Sequence, residues 1–255
     1  MKAAILNDVT KCIGCGQCEV ACKKVNQLKN DLPRRWDADD GLSASNWTSI
    51  VTGPQRRYAR QQCRHCLEPA CVSACPVGAL QKTEIGAVIY DSAKCMGCRY
   101  CMMACPYGIP RYQWDSAVPY VRKCILCYDR IRNGQQPACT DACPTKATIF
   151  GDRIALLQEA HRRIAEKPHL YINHVWGDHE AHGASVLYIS DVDLSFLTGG
   201  HEIPSNALPT TTAKAMEAVP YAFCGMLALM GGLNWVITRR IKLRKEPRRL
   251  NGQST

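Results

Sequence analysis

Phenylalanine occurs only three times in 255 residues, and aromatic side chains of every kind make up 7%. Large aromatics supply much of the area a core buries, so a chain this poor in them builds only a small core from side chains alone. Missing too are the short patterns that announce chemistry on a substrate: there is no glycine-rich phosphate loop, no nucleophile beside a base and no carboxylate pair. That excludes a self-contained catalytic site. The histidines His169, His174, His179, His182 and His201 are scattered without metal-ligand spacing. The opening stretch Met1 to Thr10 (MKAAILNDVT) is too short and too weakly apolar for a signal peptide and has no twin arginine; it reads as an apolar strand.

What the chain has in excess is cysteine, 17 residues in all. All but Cys224 lie between Cys12 and Cys143, in four groups of four. Cys12, Cys15, Cys18 and Cys22 follow C-x2-C-x2-C-x3-C, and Cys95, Cys98, Cys101 and Cys105 repeat it. Cys63, Cys66, Cys71 and Cys75 widen the middle gap to four residues, and Cys124, Cys127, Cys139 and Cys143 widen it to eleven. This is the ligand rhythm of bacterial ferredoxins, in which thiolates hold 4Fe-4S cubanes and the fourth cysteine of a run ligates the other cluster of a pair. Three closely spaced thiolates wrap one cubane, with backbone N–H groups turned towards its sulfides. The fourth starts a helix pointing away and reaches the neighbour. Proline follows it in Cys75-Pro76, Cys105-Pro106 and Cys143-Pro144 and fixes the turn, whereas Lys23 follows Cys22.

Two other uses of cysteine fit less well. Zinc ribbons use two separated C-x2-C pairs per metal, without the C-x3-C-P that closes three of these groups. Disulfide frameworks suit short secreted chains, and this one is longer and lacks an export signal. Cys224, inside an apolar run, is expected to be a buried inert thiol. Four metal clusters would also replace packing that the sparse aromatics do not provide.

The net charge of +10 suggests nucleic acid or an acidic membrane surface at first sight. Seven of the basic residues lie beyond Thr238, offset only by Glu246, and four anionic clusters would cancel most of the rest. The charge is no argument for nucleic acid, and no nucleic-acid partner is expected.

Crossover of the fourth cysteines pairs the second group with the third and the first with the fourth. The expected fold is α+β and loop-rich: two interleaved bacterial-ferredoxin-like dicluster modules, the inner at 62–114 and the outer at 1–61 and 115–150. The insertion Lys23 to Gln62, with Trp36, Trp47 and Tyr58, reads as a partner surface or a loop covering a cluster. Ala87 to Tyr90 reads as one arm of a small hairpin, and Asn133-Gly134 as a turn. An extension at 151–217 packs on the cluster domain. In it Asp152 caps a helix from Arg153 to Glu166 with Ile154, Leu157, His161 and Ile164 on one face, His161 being packed or solvated, and Ser185 to Ile189 is a strand.

The run Ala218 to Thr238 carries no charge, and its 21 residues would make a helix about 31 Å long, the thickness of a hydrocarbon core. It reads as one transmembrane helix at 218–238, with Trp235 near the interface. The basic tail at 239–255 then lies in the cytoplasm by the positive-inside rule, and the cluster domain in the periplasm. With no export signal in the chain, a partner would carry the twin-arginine signal. The run contains no histidine, so a haem in the bilayer must be held by another subunit. A soluble polyferredoxin with this run as core, and a basic zinc-binding adaptor for nucleic acid, are the alternatives.

The segments CIGCGQCEVACKKVN, GLSASNWT, GCRYCMMACPYGIPRY and KCILCYDRIRNGQQPACTDACPTKATIFG, with the single C-terminal apolar run, resemble the iron–sulfur beta subunits of respiratory complexes over nearly the whole chain. Two branches are close. One is the beta subunit of membrane-bound formate dehydrogenase-N, and the other is the membrane-anchored ferredoxin-like subunit of quinone-reducing periplasmic NiFe hydrogenase. The hydrogenase subunit normally has its own twin-arginine signal, which favours the formate branch; related molybdopterin reductases share the motif. The resemblance implies a non-catalytic electron-transfer subunit. Its partners would be a large catalytic subunit (molybdopterin formate dehydrogenase first, NiFe hydrogenase next), an integral membrane cytochrome b or quinone-binding subunit, and membrane lipid. It also implies the ligand sets: Cys12, Cys15, Cys18 and Cys143; Cys22, Cys124, Cys127 and Cys139; Cys63, Cys66, Cys71 and Cys105; and Cys75, Cys95, Cys98 and Cys101.

Overall fold

A computed structural model describes residues 2–29 and 39–250, without the side chains at 214 and 244–250. Trp36 in the insertion lies outside the described residues. The elements run β1 (Ala3–Asp8), α1 (Gln17–Val25), β2 (Thr48–Thr52), β3 (Tyr58–Gln62), α2 (Ala70–Ser73), β4 (Leu80–Lys82), β5 (Val88–Tyr90), α3 (Tyr100–Ala104), β6 (Arg111–Tyr112), β7 (Val121–Arg122), α4 (Tyr128–Arg132), α5 (Ala138–Asp141), β8 (Thr148–Asp152), α6 (Arg153–Glu166), β9 (Val186–Ile189) and α7 (Thr210–Leu250). The chain divides between Pro209 and Thr210 into two units.

The first unit is built on β1, whose six residues AAILND are all buried. A strand buried on both faces belongs in the middle of a sheet. β1 pairs antiparallel with β8, Ala3 opposite Asp152, and parallel with β9, Ile5 opposite Val186. Strand alternation then sorts its side chains. Ala4 and Leu6 pack with Leu187, Ile189 and the α6 residues Leu156, Ala160 and Ile164. Ala3 and Ile5 face the other way, among Leu126, Val186, Tyr188, Cys18 and Cys139. That second face is the floor beneath the first and fourth cysteine groups.

α6 begins as expected, with the Asp152 carboxylate accepting from the Ile154 N–H at 3.0 Å, a cap worth about 1 kcal/mol. Its buried face shares Leu157 and Ile164 with the expected one but is centred elsewhere. Leu156, Ala160 and Ile164 point inward, while Ile154 is 67% exposed and His161 lies in solvent. Gly151 leaves room for Leu156 against β8, and Ala160 lets the helix lie close to the sheet, so the stripe is rotated from the sequence assignment.

The insertion between the first two groups is more than a covering loop. Its second half folds into the β2–β3 hairpin, Thr48 opposite Gln62. Ile50 N–H of β2 donates to the Glu19 carboxylate on α1, and β3 is buried from Ala59 to Gln62. β4 and β5 form the expected small hairpin, Leu80 opposite Tyr90, and β6 and β7 make another, Arg111 opposite Arg122. Asn133 and Gly134 close a turn after α4, Gly134 with φ of +72°.

The second unit is α7. It starts at Thr210, so residues 210–217, grouped by sequence with the extension, are helical. By length and composition its stretch Thr210–Leu243 is able to cross a membrane, with mean hydropathy 1.4 over its most apolar window. Tyr221, Phe223, Leu229, Leu233 and Trp235 are all exposed, so the helix is apolar around its circumference. Arg239 stacks over the Trp235 ring at 5.3 Å. Cys224 is exposed here, which corrects its assignment as a buried thiol.

Candidate metal centre

All four cysteine groups share one backbone device. The residue just before the second cysteine has positive φ in each: Gly14 (+69°), His65 (+50°), Gly97 (+73°) and Leu126 (+60°). A left-handed residue in such a turn swings successive N–H groups to one side, which makes the anion-binding nest found at iron–sulfur sites. For His65 and Leu126 the conformation costs about 1–2 kcal/mol each, and both are fully buried by their surroundings. The repetition in residues without that preference marks the loop shape, rather than glycine, as the common requirement.

A short helix then presents the third cysteine: α1 carries Cys18, α2 Cys71, α3 Cys101 and α5 Cys139. A second device follows the fourth cysteine. Gly78, Gly108 and Lys146, each three residues after it, have positive φ and donate their N–H to the carbonyls of Cys75, Cys105 and Cys143 at 3.3, 3.1 and 3.3 Å. This turn aims backbone at sulfur, as in the Ala79 N–H on Cys75 Sγ at 3.2 Å. Cys22 has no proline after it, and there α1 continues. The Asn26 amide bonds its carbonyl at 2.9 Å and reaches its sulfur at 3.6 Å.

The fourth cysteines cross between groups. Cys143 joins Cys12, Cys15 and Cys18 around one cavity that Tyr58 and Arg60 also line. Cys22 joins Cys124, Cys127 and Cys139 around a second. Cys63, Cys71 and Cys105 are the thiols that act on Cys66, and Cys75, Cys95 and Cys98 those that act on Cys101. Cys18 also neighbours Cys139, Cys124 neighbours Cys63, and Cys71 neighbours Cys101. The four sets therefore neighbour one another in succession, each adjoining pair sharing a packed cluster.

Burial first, and neighbouring thiols after it, push Cys18 and Cys101 up to about 11 and Cys22 and Cys71 up to about 12. Free thiols so placed stay protonated at neutral pH, and a coordinating metal removes that proton outright. Among the described residues no three His, Cys, Asp or Glu side chains converge closely enough for a single ion. Tetrahedral zinc requires such convergence at about 2.3 Å. Thiolates around a cubane each bind a different iron and stand farther apart, so the donor set fits the larger group.

Cations wholly or partly buried beside these thiols were not legible as functional in the sequence. Lys82 Nζ donates to the carbonyls of His65, Cys66 and Gly86 at 3.1, 2.7 and 2.8 Å. Lys123, 3% exposed, spans from the Val88 carbonyl on β5 to that of Cys124. Arg60 on β3 is 4% exposed. Lysine and arginine spread through the chain offered no spacing by which to single these out.

Comparison with known proteins agrees with this arrangement. Residues 55–153 match the family described as 4Fe-4S dicluster domain, and residues 10–26 the family described as 4Fe-4S binding domain. A protein of Nitratidesulfovibrio vulgaris is 39% identical over 95% of this chain and 68% of its own length. Hydrogenase-2 operon protein HybA of Escherichia coli O157:H7 is 33% identical over 93% of this chain and 84% of its own. The iron-sulfur subunit of the nitrate-inducible formate dehydrogenase of Escherichia coli is 32% identical over 91% and 83%.

Proposed function

Because the chain belongs to the family of 4Fe-4S electron-transfer subunits of oxidoreductase complexes, we propose that it relays electrons from a periplasmic catalytic subunit to a quinone-reactive subunit in the membrane. The observation that supports this reading is the grouping of sixteen thiols into four neighbouring sets, each on a loop with a left-handed residue before its second cysteine. Site 1 is Cys12, Cys15, Cys18 and Cys143; site 2 is Cys22, Cys124, Cys127 and Cys139. Site 3 is Cys63, Cys66, Cys71 and Cys105; site 4 is Cys75, Cys95, Cys98 and Cys101. A 4Fe-4S group bound at each would supply one-electron chemistry. The residues hold these groups in a row, 1-2-3-4, partly shielded from water.

In this reading sites 1 and 2 form the outer module, 1–61 and 115–150, and sites 3 and 4 the inner one, 62–114. The β1–β8–β9 sheet with α6 supports the outer module from below. α7 crosses the membrane, an assignment supported by its outward apolar side chains and the interfacial Trp235. By the positive-inside rule, the arginines and lysines after Thr238 support a cytoplasmic end for the helix and periplasmic thiol sites. Since α7 contains no histidine, the haem or quinone site belongs to a separate membrane subunit.

The catalytic partner is a molybdopterin formate dehydrogenase or a NiFe hydrogenase; the chain is 32% identical to the formate dehydrogenase subunit and 33% to the hydrogenase operon protein. Anaerobic purification of the complex tests the whole reading. About sixteen irons per chain with matching labile sulfide, four interacting EPR signals and a co-purifying large subunit are expected. A colourless protein holding zinc refutes it.

A further inference from the structure

Among the described residues Arg60 has no carboxylate partner. Its Nε, Nη1 and Nη2 are all buried and no oxygen or nitrogen accepts from them; the group the guanidinium reaches is the Cys139 thiol of site 2. Leaving a buried cation uncompensated is strongly destabilising, so this position makes physical sense only if negative charge comes to it. The backbone is held in place on both sides. Arg60 pairs with Ile50 in the β2–β3 hairpin, and its carbonyl accepts from the Tyr188 hydroxyl at 2.7 Å. Strand alternation puts Tyr58 and Arg60 on one face, and both line the site 1 cavity. The thiols nearest in effect to the guanidinium are Cys139 of site 2 and Cys18 of site 1, and it also acts on Cys12, Cys22 and Cys127. It therefore stands between the first two sites.

We propose that Arg60 is a positioning and potential-setting residue shared by sites 1 and 2, its buried donors serving the thiolates and the anionic groups held there. The proposal rests on the four-site reading above. A fixed cation favours the more negative, reduced form of whatever it faces, so Arg60 raises the reduction potentials of sites 1 and 2 together. It also screens the two anionic groups from each other, which allows them to sit in adjacent pockets. Site 3 has its own cations in Lys82, bonded to the Cys66 carbonyl, and Lys123, which acts on Cys71 and Cys105.

The test uses the intact complex, purified anaerobically, with Arg60→Met and Arg60→Lys. Iron per chain is measured first, then each midpoint potential by EPR titration. With full iron content, Arg60→Met is expected to lower two of the four potentials and leave two unmoved, and Arg60→Lys to stay nearer the parent. Unchanged potentials in Arg60→Met, all four moving alike, or Arg60→Lys shifting as far as Arg60→Met overturns the proposal. If Arg60→Met fails to retain iron, retention in Arg60→Lys supports the charge role and equal loss in both overturns it. Failure of the underlying reading is distinguishable, because the parent complex itself would then contain no labile sulfide.

Discussion

Gly14 offers a test of how tightly the first loop is packed. Its φ of +69° is one that an alanine adopts at a cost of about 1–2 kcal/mol. A Cβ there would also lie 2.8 Å from Cγ and Cδ1 of Tyr58. Those atoms are at the root of the ring, on a strand pinned by its partner β2, so the ring cannot swing aside without moving β3. Overpacking of this kind costs a further 1–3 kcal/mol, roughly. Gly78 is the control: its φ is +62°, and a Cβ meets nothing within 4 Å. Gly78→Ala therefore carries the backbone term alone, and the effect of alanine on the unfolded chain cancels between the two. Gly14→Ala should open its loop more often than Gly78→Ala by about 1–3 kcal/mol, or roughly 5- to 150-fold. The assay is the rate of iron loss to a chelator from the intact complex under anaerobic conditions. Adding Tyr58→Ala to Gly14→Ala should bring the rate back towards that of Gly78→Ala. Equal rates for the two alanine variants, or no relief from Tyr58→Ala, would refute the packing argument.

Cys22→Ser should reduce iron by about four per chain and abolish the signal of the site shared with Cys124, Cys127 and Cys139; metal analysis with EPR reads this, and loss from the Cys12 site instead would contradict the crossover. Lys123→Met removes the ammonium that joins the Val88 and Cys124 carbonyls, leaving two acceptors unpaired at about 1–3 kcal/mol each, partly offset by no longer burying a charge; thermal unfolding of the complex should show a lower midpoint. Asp152→Ala deletes the α6 cap and the acceptor of the Lys2 N–H, and should cost about 1 kcal/mol in the same melt with EPR signals retained. Truncation after Pro209 should release the thiol-bearing unit from carbonate-washed membranes while the full chain stays; retention of both would contradict the anchor.

Local features were readable from the sequence because they depend on neighbours in the chain. Cysteine spacing determined four loops, Asp152 marked the start of α6, Ala87 to Tyr90 belonged to a hairpin, and the uncharged run from Ala218 lay within one long helix. Which face of α6 is buried was not readable, since Ile154, Leu156 and Leu157 are all apolar and only the sheet beneath decides among them. Burial of β3 was hidden too, because YARQQ has a polar composition and is covered only when the first group, the hairpin and Tyr188 come together.

Tertiary structure alone decided that β1 sits between β8 and β9, strands more than 140 residues away in the sequence. Pairing at that separation depends on the whole chain closing around it, a matter on which a six-residue strand carries no information. The same closure brings Cys143 beside Cys12 and lodges an arginine from an unremarkable strand between two sets of thiols. Cysteine spacing determined what this chain can hold, and the long-range folding decided how the places where it is held are joined and charged.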